Sequence, residues 1–479
     1  MKKILFIEIY PFKPHLETSC EIALAEKKRG NEVAFLWLGS LLKWSEIELS
    51  LFQRILFCSY EKKTKNLLSL LKKNKIEILK FEEFDQINLK KIDNWSSKFS
   101  GSIKQLSNYK YNNRNLGIGV VSSLISHFHD SQFDTHKHSG VIKKCLFSSA
   151  VVYEACKIIF KKIKPDKVVT FNSRFFATKP IIIASQDFKI NVERHERGSN
   201  YKKYEIFQED IHNYKYRSEK ILEYWSNSKN KNKISIAKSY FTRKKKGKSL
   251  GRDLGRDFTG YQNQKFKWSG EKKKKVVYFT STSYEHEAIS HEIGKNNWKN
   301  QIQIINDIGK ISKELNLEFI VRMHPKPFKL KSKKDEEEII KFCNKKNIKI
   351  IKPEEKFNSY DLIESADYVT HYGSNIGIEA TYWRKISISL RNSYYYTHDV
   401  VFQPKNYFEL RNLFLRKLKP KAQSNCFPHG YYFLTFGKKF KYFKTKNYYD
   451  ISYKNISFNY ESSFYLILKY IFRFITNRL

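Results

Sequence analysis

Apolar and polar positions follow two rhythms along this chain. Residues 3–9 form a short, nearly unbroken apolar run, the pattern of a strand covered on both faces in a parallel sheet. HLETSCEIALAEKKRGNEVAFLWLG (15–39) then shifts to helical spacing, with Ile22, Ala25 and Glu26 one turn apart, a stop at Gly30 and a second strand over 33–38. The same alternation returns in YEACKIIFKKIKPDKVVTFNSR (153–174) and TKPIIIASQDFKINVERHERG (178–198), so the first half reads as an open α/β sheet.

Residues 241–275, rich in charge and glycine with a GRDL/GRDF echo, read as a linker. Beyond them KVVYFTSTS, a helix over 302–315, LEFIVRMHP, a helix over 335–343, IKIIKP, ADYVTHYG and IGIEATYW alternate strand and helix as a second α/β domain. The expected boundaries are 1–262, 263–440 and a tail, 441–479, in which Phe464, Ile467, Leu468, Ile471 and Ile475 share one face of an amphipathic helix. That helix would complete a core or lie on a membrane surface.

Composition narrows the partners. The formal charge is +42, from 90 basic and 48 acidic residues, which suggests a polyanion, an anionic membrane or an acidic substrate. The abundant Lys, Asn, Ile, Phe and Tyr all have AT-rich codons, so part of this charge records base composition. The lysines are spread through all regions, with no zinc finger, RNP-like strand or helix-turn-helix, so nucleic acid is not the expected partner and remains the reading from a different class. Six scattered cysteines, without a CxxC pair, fit a reducing cytoplasm. Glu8 interrupts the first apolar run and no cleavage site follows, so a signal peptide is not expected.

The chemistry concentrates at strand ends. In VTHYGSNIGIEATYW a helix starting near Ser374 leaves the turn 372–375 with backbone N–H groups for a phosphate, while Gly373 and Gly377 let a ligand approach. Glu379 would lie one turn deeper and accept both hydroxyls of a ribose; the plain alternative is a βα turn whose glutamate points outward. VRMHP places Arg322 and His324 at another strand end, and YFTSTS places Ser281, Thr282 and Ser283 at a third. In the first domain the candidates are His195, Glu196 and Arg197 in ERHERGSN, His15 and Glu17 after the first strand, and Asn172 and Arg174 in FNSR. His195 and Glu196 compete as the base that takes an acceptor proton, and strand periodicity does not separate them. SHFHDSQFDTHKH (126–138) lacks the rigid spacing of a metal site, and no Asp-x-Asp pair occurs, so no metal or other cofactor is expected.

These motifs, together with PHLETSCEIALAEKKRGNEVAFL, NSRFFATKPIIIAS, HERGSNYKKYEIF and YYFLTFGKKFKYF, resemble in order and spacing the GT-B-type glycosyltransferases of bacterial capsule and O-antigen synthesis. The resemblance implies two facing Rossmann-like domains, a nucleotide-sugar donor on the C-terminal one and a glycan or lipid-linked glycan acceptor on the other. It implies Ser374, Asn375 and Gly377 on the donor diphosphate, Glu379 on the ribose, and Arg322 with His324 on phosphates. Where the family carries lysine followed by proline, this chain has Lys385 followed by Ile386. CDP-glycerol-type relatives place a histidine before a glycine at a comparable strand end, which favours His195. A CDP-glycerol or CMP-Kdo donor, or a nucleotide-sugar epimerase, fits the same motifs, and a non-catalytic scaffold of polysaccharide assembly stands beside them. The implied location is cytoplasmic, with peripheral contact to anionic lipid on the inner membrane face.

Overall fold

The structure, a computed structural model, describes residues 1–11, 14–44, 58–79, 86–248, 250, 264–269, 272–288, 298–325, 332–446, 451–454 and 456–457. Contacts divide the chain into two compact units, residues 1–123, 134–209 and 437–479 in one and 124–133 with 210–436 in the other.

The first unit is built on a seven-stranded sheet. Strands Lys3–Glu8, Glu32–Trp37, Glu77–Leu79, Lys167–Phe171 and Asn191–Arg197 are parallel, in the spatial order third, second, first, fourth, fifth. Lys203–Phe207 and Lys438–Lys439 extend the sheet antiparallel. All but the first residue of KILFIE is buried, as expected of a strand with helices on both faces. The chain re-enters this unit at Gly437. Its φ is +94°, and a Cβ there would stand 2.7 Å from the Tyr204 carbonyl and 3.0 Å from the Gly198 Cα. Glu21 then accepts the N–H groups of Lys441, Tyr442 and Phe443 at 2.6, 2.8 and 3.0 Å. Phe443, Ile451 and Tyr453 join the core around Leu16 and Phe35.

The second unit carries a five-stranded, wholly parallel sheet of Lys275–Phe279, Glu318–Arg322, Lys349–Ile351, Tyr368–His371 and Ile386–Ser389, again ordered third, second, first, fourth, fifth. Asparagines cap its helices. Asn300, Asn358 and Asn406 accept from Gln303, Tyr360 and Glu409 N–H groups, which starts Gln301–Glu314, Ser359–Ser365 and Tyr407–Leu415 where the chain leaves a strand or turn.

Two expectations on organisation change. Where the boundaries were expected at 262/263 and 440/441, the contacts place residues 124–133 and 210–436 together, and helices Tyr214–Ser226 and Lys233–Lys245 bury Ile221, Tyr240 and Phe241 with Ile378, Tyr382, Tyr395 and Tyr432 of that second unit. Residues 241–245 are therefore helix, not linker. The amphipathic tail helix expected over 464–475 lies outside the described residues. Among those described, no helix is long and apolar enough to cross a membrane.

Candidate functional site

In a doubly wound sheet, ligands bind beyond the carboxyl ends of the strands, where the order reverses between first and fourth. Both sheets concentrate their polar chemistry at that place.

In the second unit, strand Tyr368–His371 leads into Gly373, whose φ of +65° and approach to the Asn392 carbonyl, 2.6 Å from an added Cβ, disfavour any other residue. Helix Ile376–Tyr382 begins two residues later than expected, and Asn375 is exposed at its start. Several N–H groups of the turn have long internal partners: Ser374 donates to His371 Nδ1 (3.2 Å), Ile376 to Ser374 Oγ (3.4 Å) and Gly377 to the Ser374 carbonyl (3.1 Å). A bound phosphate would have to replace these. Gly377 answers to a side chain, since its Cβ would sit 2.0 Å from His371 Nε2. His371 is buried, and burial pulls its pKa down to about 3, so it stacks behind the turn as a neutral ring. The helix exits through Arg384 in the left-handed region (φ 60°), and strand Ile386–Ser389 follows at once.

Glu379 is 3% exposed. Its Oε2 accepts from the Tyr360 hydroxyl at 2.6 Å, and its Oε1 lies 3.8 Å from Lys244 Nζ. The carboxylate is therefore held inside the helix by a phenol and an ammonium, and a ribose would join an existing set of partners. Arg322 is already engaged by the segment that follows the neighbouring strand. Its guanidinium donates to the carbonyls of Lys352 (2.7 Å), Glu355 (3.2 Å) and Phe357 (3.4 Å), and burial lowers its pKa to about 10. It pins a loop. His324 stays at the strand end, its N–H on Thr280 Oγ1 (3.0 Å); Ser281 bonds Gln301 and the Tyr372 carbonyl, and Thr282 is buried.

Arg391, absent from the sequence-derived set, follows strand Ile386–Ser389. Its side chain is fully buried, its guanidinium lies 4.8 Å from the Tyr372 ring, and Nη1 donates to the Tyr372 hydroxyl and to Glu287 Oε1 (3.2 Å). The signal was present: a charge directly after the apolar strand ISISL, at a carboxyl edge.

In the first unit the candidates separate into two layers. His195 is fully buried, and its Nε2 lies 2.9 Å from Glu8 Oε1 and 2.6 Å from Ser19 Oγ, which also donates to Glu8 at 2.5 Å. This triad ties the first strand, the first helix and strand Asn191–Arg197 together. Glu8 and Ser19 were not singled out from sequence, although a carboxylate ending a buried strand is the mark that identifies Glu8. Glu17 is likewise buried, paired with Lys63 Nζ at 2.7 Å.

The outer layer is Glu196, His15, Asn172 and Arg197. Glu196, with its side chain 21% exposed, accepts from Asn172 Nδ2 (3.2 Å) and from the Arg197 N–H (2.9 Å), and its Oε1 lies 3.9 Å from His15 Nδ1. His15 packs against Phe171 with ring centroids 3.8 Å apart and the planes tilted by 34°. Burial, reinforced by Arg197, His195 and Lys63, holds its imidazole well below the usual histidine range, so it is neutral. Asn172 (φ 58°) and Ser173 (φ 133°) both occupy the positive-φ region directly after strand Lys167–Phe171. Strain of about 1–3 kcal/mol per such residue persists where the surroundings enforce it, typically at functional sites. Arg174 turns aside to Ser122 Oγ (2.8 Å).

The histidine-rich segment 126–138 forms no metal-ligand group, nor does any other set among the described residues. Its Ser131 instead hydrogen-bonds Asp335 at 3.3 Å.

No protein-family model and no curated protein matches the chain. Among solved structures it is similar to a KpsC β-Kdo 2,4 transferase from Thermosulfurimonas dismutans (11% identity, TM-score 0.35, 56% of this chain and 79% of that one). It is also similar to UDP-GlcNAc 2-epimerases, from Methanocaldococcus jannaschii in complex with UDP-GlcNAc and UDP (14%, TM-score 0.31, 91% and 98%) and from Neisseria meningitidis bound to UDP-GlcNAc (13%, TM-score 0.27, 90% and 94%). Likeness at this level assigns no activity to the chain.

Proposed function

We propose that the protein is a glycosyltransferase that moves a sugar from a nucleotide-activated donor to a hydroxyl of a surface polysaccharide or lipid-linked glycan. The observation that carries this reading is the pairing of two sheets of the same doubly wound order with different chemistry at their switch points. The first has a neutral imidazole beside a partly exposed carboxylate, and the second a set of cations, hydroxyls and a buried glutamate. Group transfer needs both a proton acceptor and a grip on an anionic leaving group.

In this reading Glu196 takes the acceptor hydroxyl's proton, oriented by Asn172 and the Arg197 N–H, and His15 lies close enough to share the task. His195, enclosed by Glu8 and Ser19, positions that strand end. The donor belongs to the second unit, with Glu379 on the ribose, and with His324, Ser281, Thr282, Gly373, Ser374, Asn375 and Gly377 lining the diphosphate. The chain works beside anionic lipid, in keeping with its positive charge.

The test is nucleotide release from UDP-, GDP-, dTDP-, CDP- and CMP-activated sugars, with and without acceptor glycan. Release that requires acceptor and is lost in Glu196→Gln supports the transferase. Isomerisation of the sugar without acceptor turns the reading to an epimerase of the same architecture, and absence of any nucleotide-sugar binding removes it.

A further inference from the structure

Three buried polar atoms gather around Tyr372 without a partner in the protein: Arg391 Nε, Arg391 Nη2 and His286 Nδ1. The His286 and Tyr372 rings are 5.2 Å apart, and Arg391 lies 4.8 Å from the same Tyr372 ring. Buried polar atoms are nearly always paired, and an unpaired charged one is the costliest kind, so a cluster of them at a strand mouth needs a reason. Hydrophobic packing supplies none, because an apolar residue would fill the space without the cost. The positions supply one. Arg391 follows the fifth strand, Tyr372 the fourth, and His286 and Glu287 sit on the short helix Ser283–Glu287 after the first, so the cluster stands at the reversal of strand order where such sheets take ligands.

Charge defines the ligand. His286 has its pKa lowered to about 3, by burial first and the Arg391 guanidinium second, and is neutral. Within the cluster Arg391 is the cation and Glu287 the carboxylate that meets it. Glu287 occupies only Nη1, and its side chain is 37% exposed while that of Arg391 is fully enclosed. A guanidinium with one edge open suits a two-oxygen anion, which can bind Nε and Nη2 as a fork.

We propose that Arg391 is an anion-binding residue of the second unit, and that Glu287 is a built-in counter-ion which an incoming phosphate or carboxylate displaces. The inference rests on the nucleotide-sugar reading and deepens it, because it moves recognition of the donor's charge from Arg322 to Arg391. Glu287 keeps the guanidinium compensated while the site is empty, and the anion takes over that compensation. His286 Nδ1, as the neutral ring, completes the polar wall. The anion is either the donor's phosphate or a carboxylate on the sugar itself, and both are forked acceptors of the same geometry.

The experiment is calorimetric titration with inorganic pyrophosphate and with glucuronate, followed by the nucleotide-sugar panel, on wild type, Arg391→Met, Arg391→Lys, Glu287→Gln and Arg322→Lys, with folding checked by circular dichroism. Arg391→Met weakens the binding anion by at least about tenfold, the range for a charged hydrogen-bond partner. Arg391→Lys recovers only part of the loss, Glu287→Gln tightens binding several-fold by removing the competitor, and Arg322→Lys changes it little. Glu287→Gln keeps the test open should Arg391→Met fail to fold. The probe whose affinity follows Arg391 names the source of the anion. Binding indifferent to both Arg391 and Glu287, or no anion bound by wild type, overturns the proposal and leaves ordered water as the occupant. Nucleotide-sugar binding that ignores Arg391 sinks this inference alone; pyrophosphate binding that needs Arg391, with no nucleotide sugar bound, sinks the transferase reading alone.

Discussion

The two sheets share one strand order and differ in how they carry charge. At the first switch point Glu8, Glu17 and Glu196 stand with two histidines, and the buried members are internally paired, Glu17 to Lys63 and Glu8 to His195 and Ser19. At the second, Arg322 and Arg391 are both buried; Arg322 gives both its Nη groups to loop carbonyls and leaves only Nε over, whereas Arg391 keeps Nη2 as well as Nε open. A doubly wound sheet thus provides the place, and the residue that ends each strand decides whether protons or anions are handled there.

The largest effect expected from this contrast is on stability in the first unit. Lys63→Met strands Glu17 in the core and destabilises by about 3–5 kcal/mol, the usual cost of breaking a buried pair from one side. Chemical denaturation measures it, and the double variant with Glu17→Leu should recover most of the loss. If Lys63→Met alone costs under about 1 kcal/mol, the pair is not the strut described.

Next in size is the proton-handling role. Glu196→Gln lowers transfer by about 10²–10⁴-fold, as loss of a general base does, with stability nearly unchanged. His195→Gln, by contrast, should lower the melting temperature, because it dismantles the triad with Glu8 and Ser19. Equal rate losses without destabilisation in the two variants would erase the distinction between outer and inner layers.

The pH dependence tests the second unit. Burial lowers the folded-state pKa of His371 to about 3 and of His398 to about 4. The unfolded chain takes up these protons from about pH 6.5 downward while the folded chain does not. Their contribution is therefore constant above about pH 6.5 and falls as pH drops toward 4, at roughly 1.4 kcal/mol per pH unit for each ring once the unfolded form is protonated. Urea unfolding between pH 7 and pH 4 reads the slope, and His398→Gln should remove its share. A pH-independent stability of the second unit over that range would mean these rings are not buried neutral.

Packing effects are smaller. Gly377→Ala forces a Cβ into the His371 ring and should cost about 1–3 kcal/mol, as overpacking does. Ser173→Gly relieves the backbone at φ 133° and should gain about 1 kcal/mol, and a thermal shift assay separates the two signs.

Much of the fold was legible because period and punctuation are local. KILFIE, KVVYF and EFIVR read as buried strands from their apolar runs, and the helices between them from spacing and stops. The strand mouths followed, and with them His15, Asn172, Glu196, His324 and Glu379. The division into units did not follow, because residues 241–275 read as a charged connector until Phe241, in the last turns of helix Lys233–Lys245, is seen in one core cluster with Tyr382 and Tyr432. Nor did the division of labour between the arginines, since Arg322 and Arg391 occupy equivalent strand ends in the sequence.

Sequence alone determined that this protein alternates strand and helix twice over and which polar residues end its strands, because both properties depend on neighbours a few residues away. Only the tertiary structure decided that His195 is enclosed while Glu196 reaches the surface, that Glu379 already has a phenol as partner, and that Arg391 keeps donors to offer. Those outcomes depend on burial and on contacts between residues far apart in the chain, such as Glu8 with His195 and Glu287 with Arg391. Whether a charged group holds the fold or waits for a ligand is set by which of its hydrogen bonds the fold has already filled.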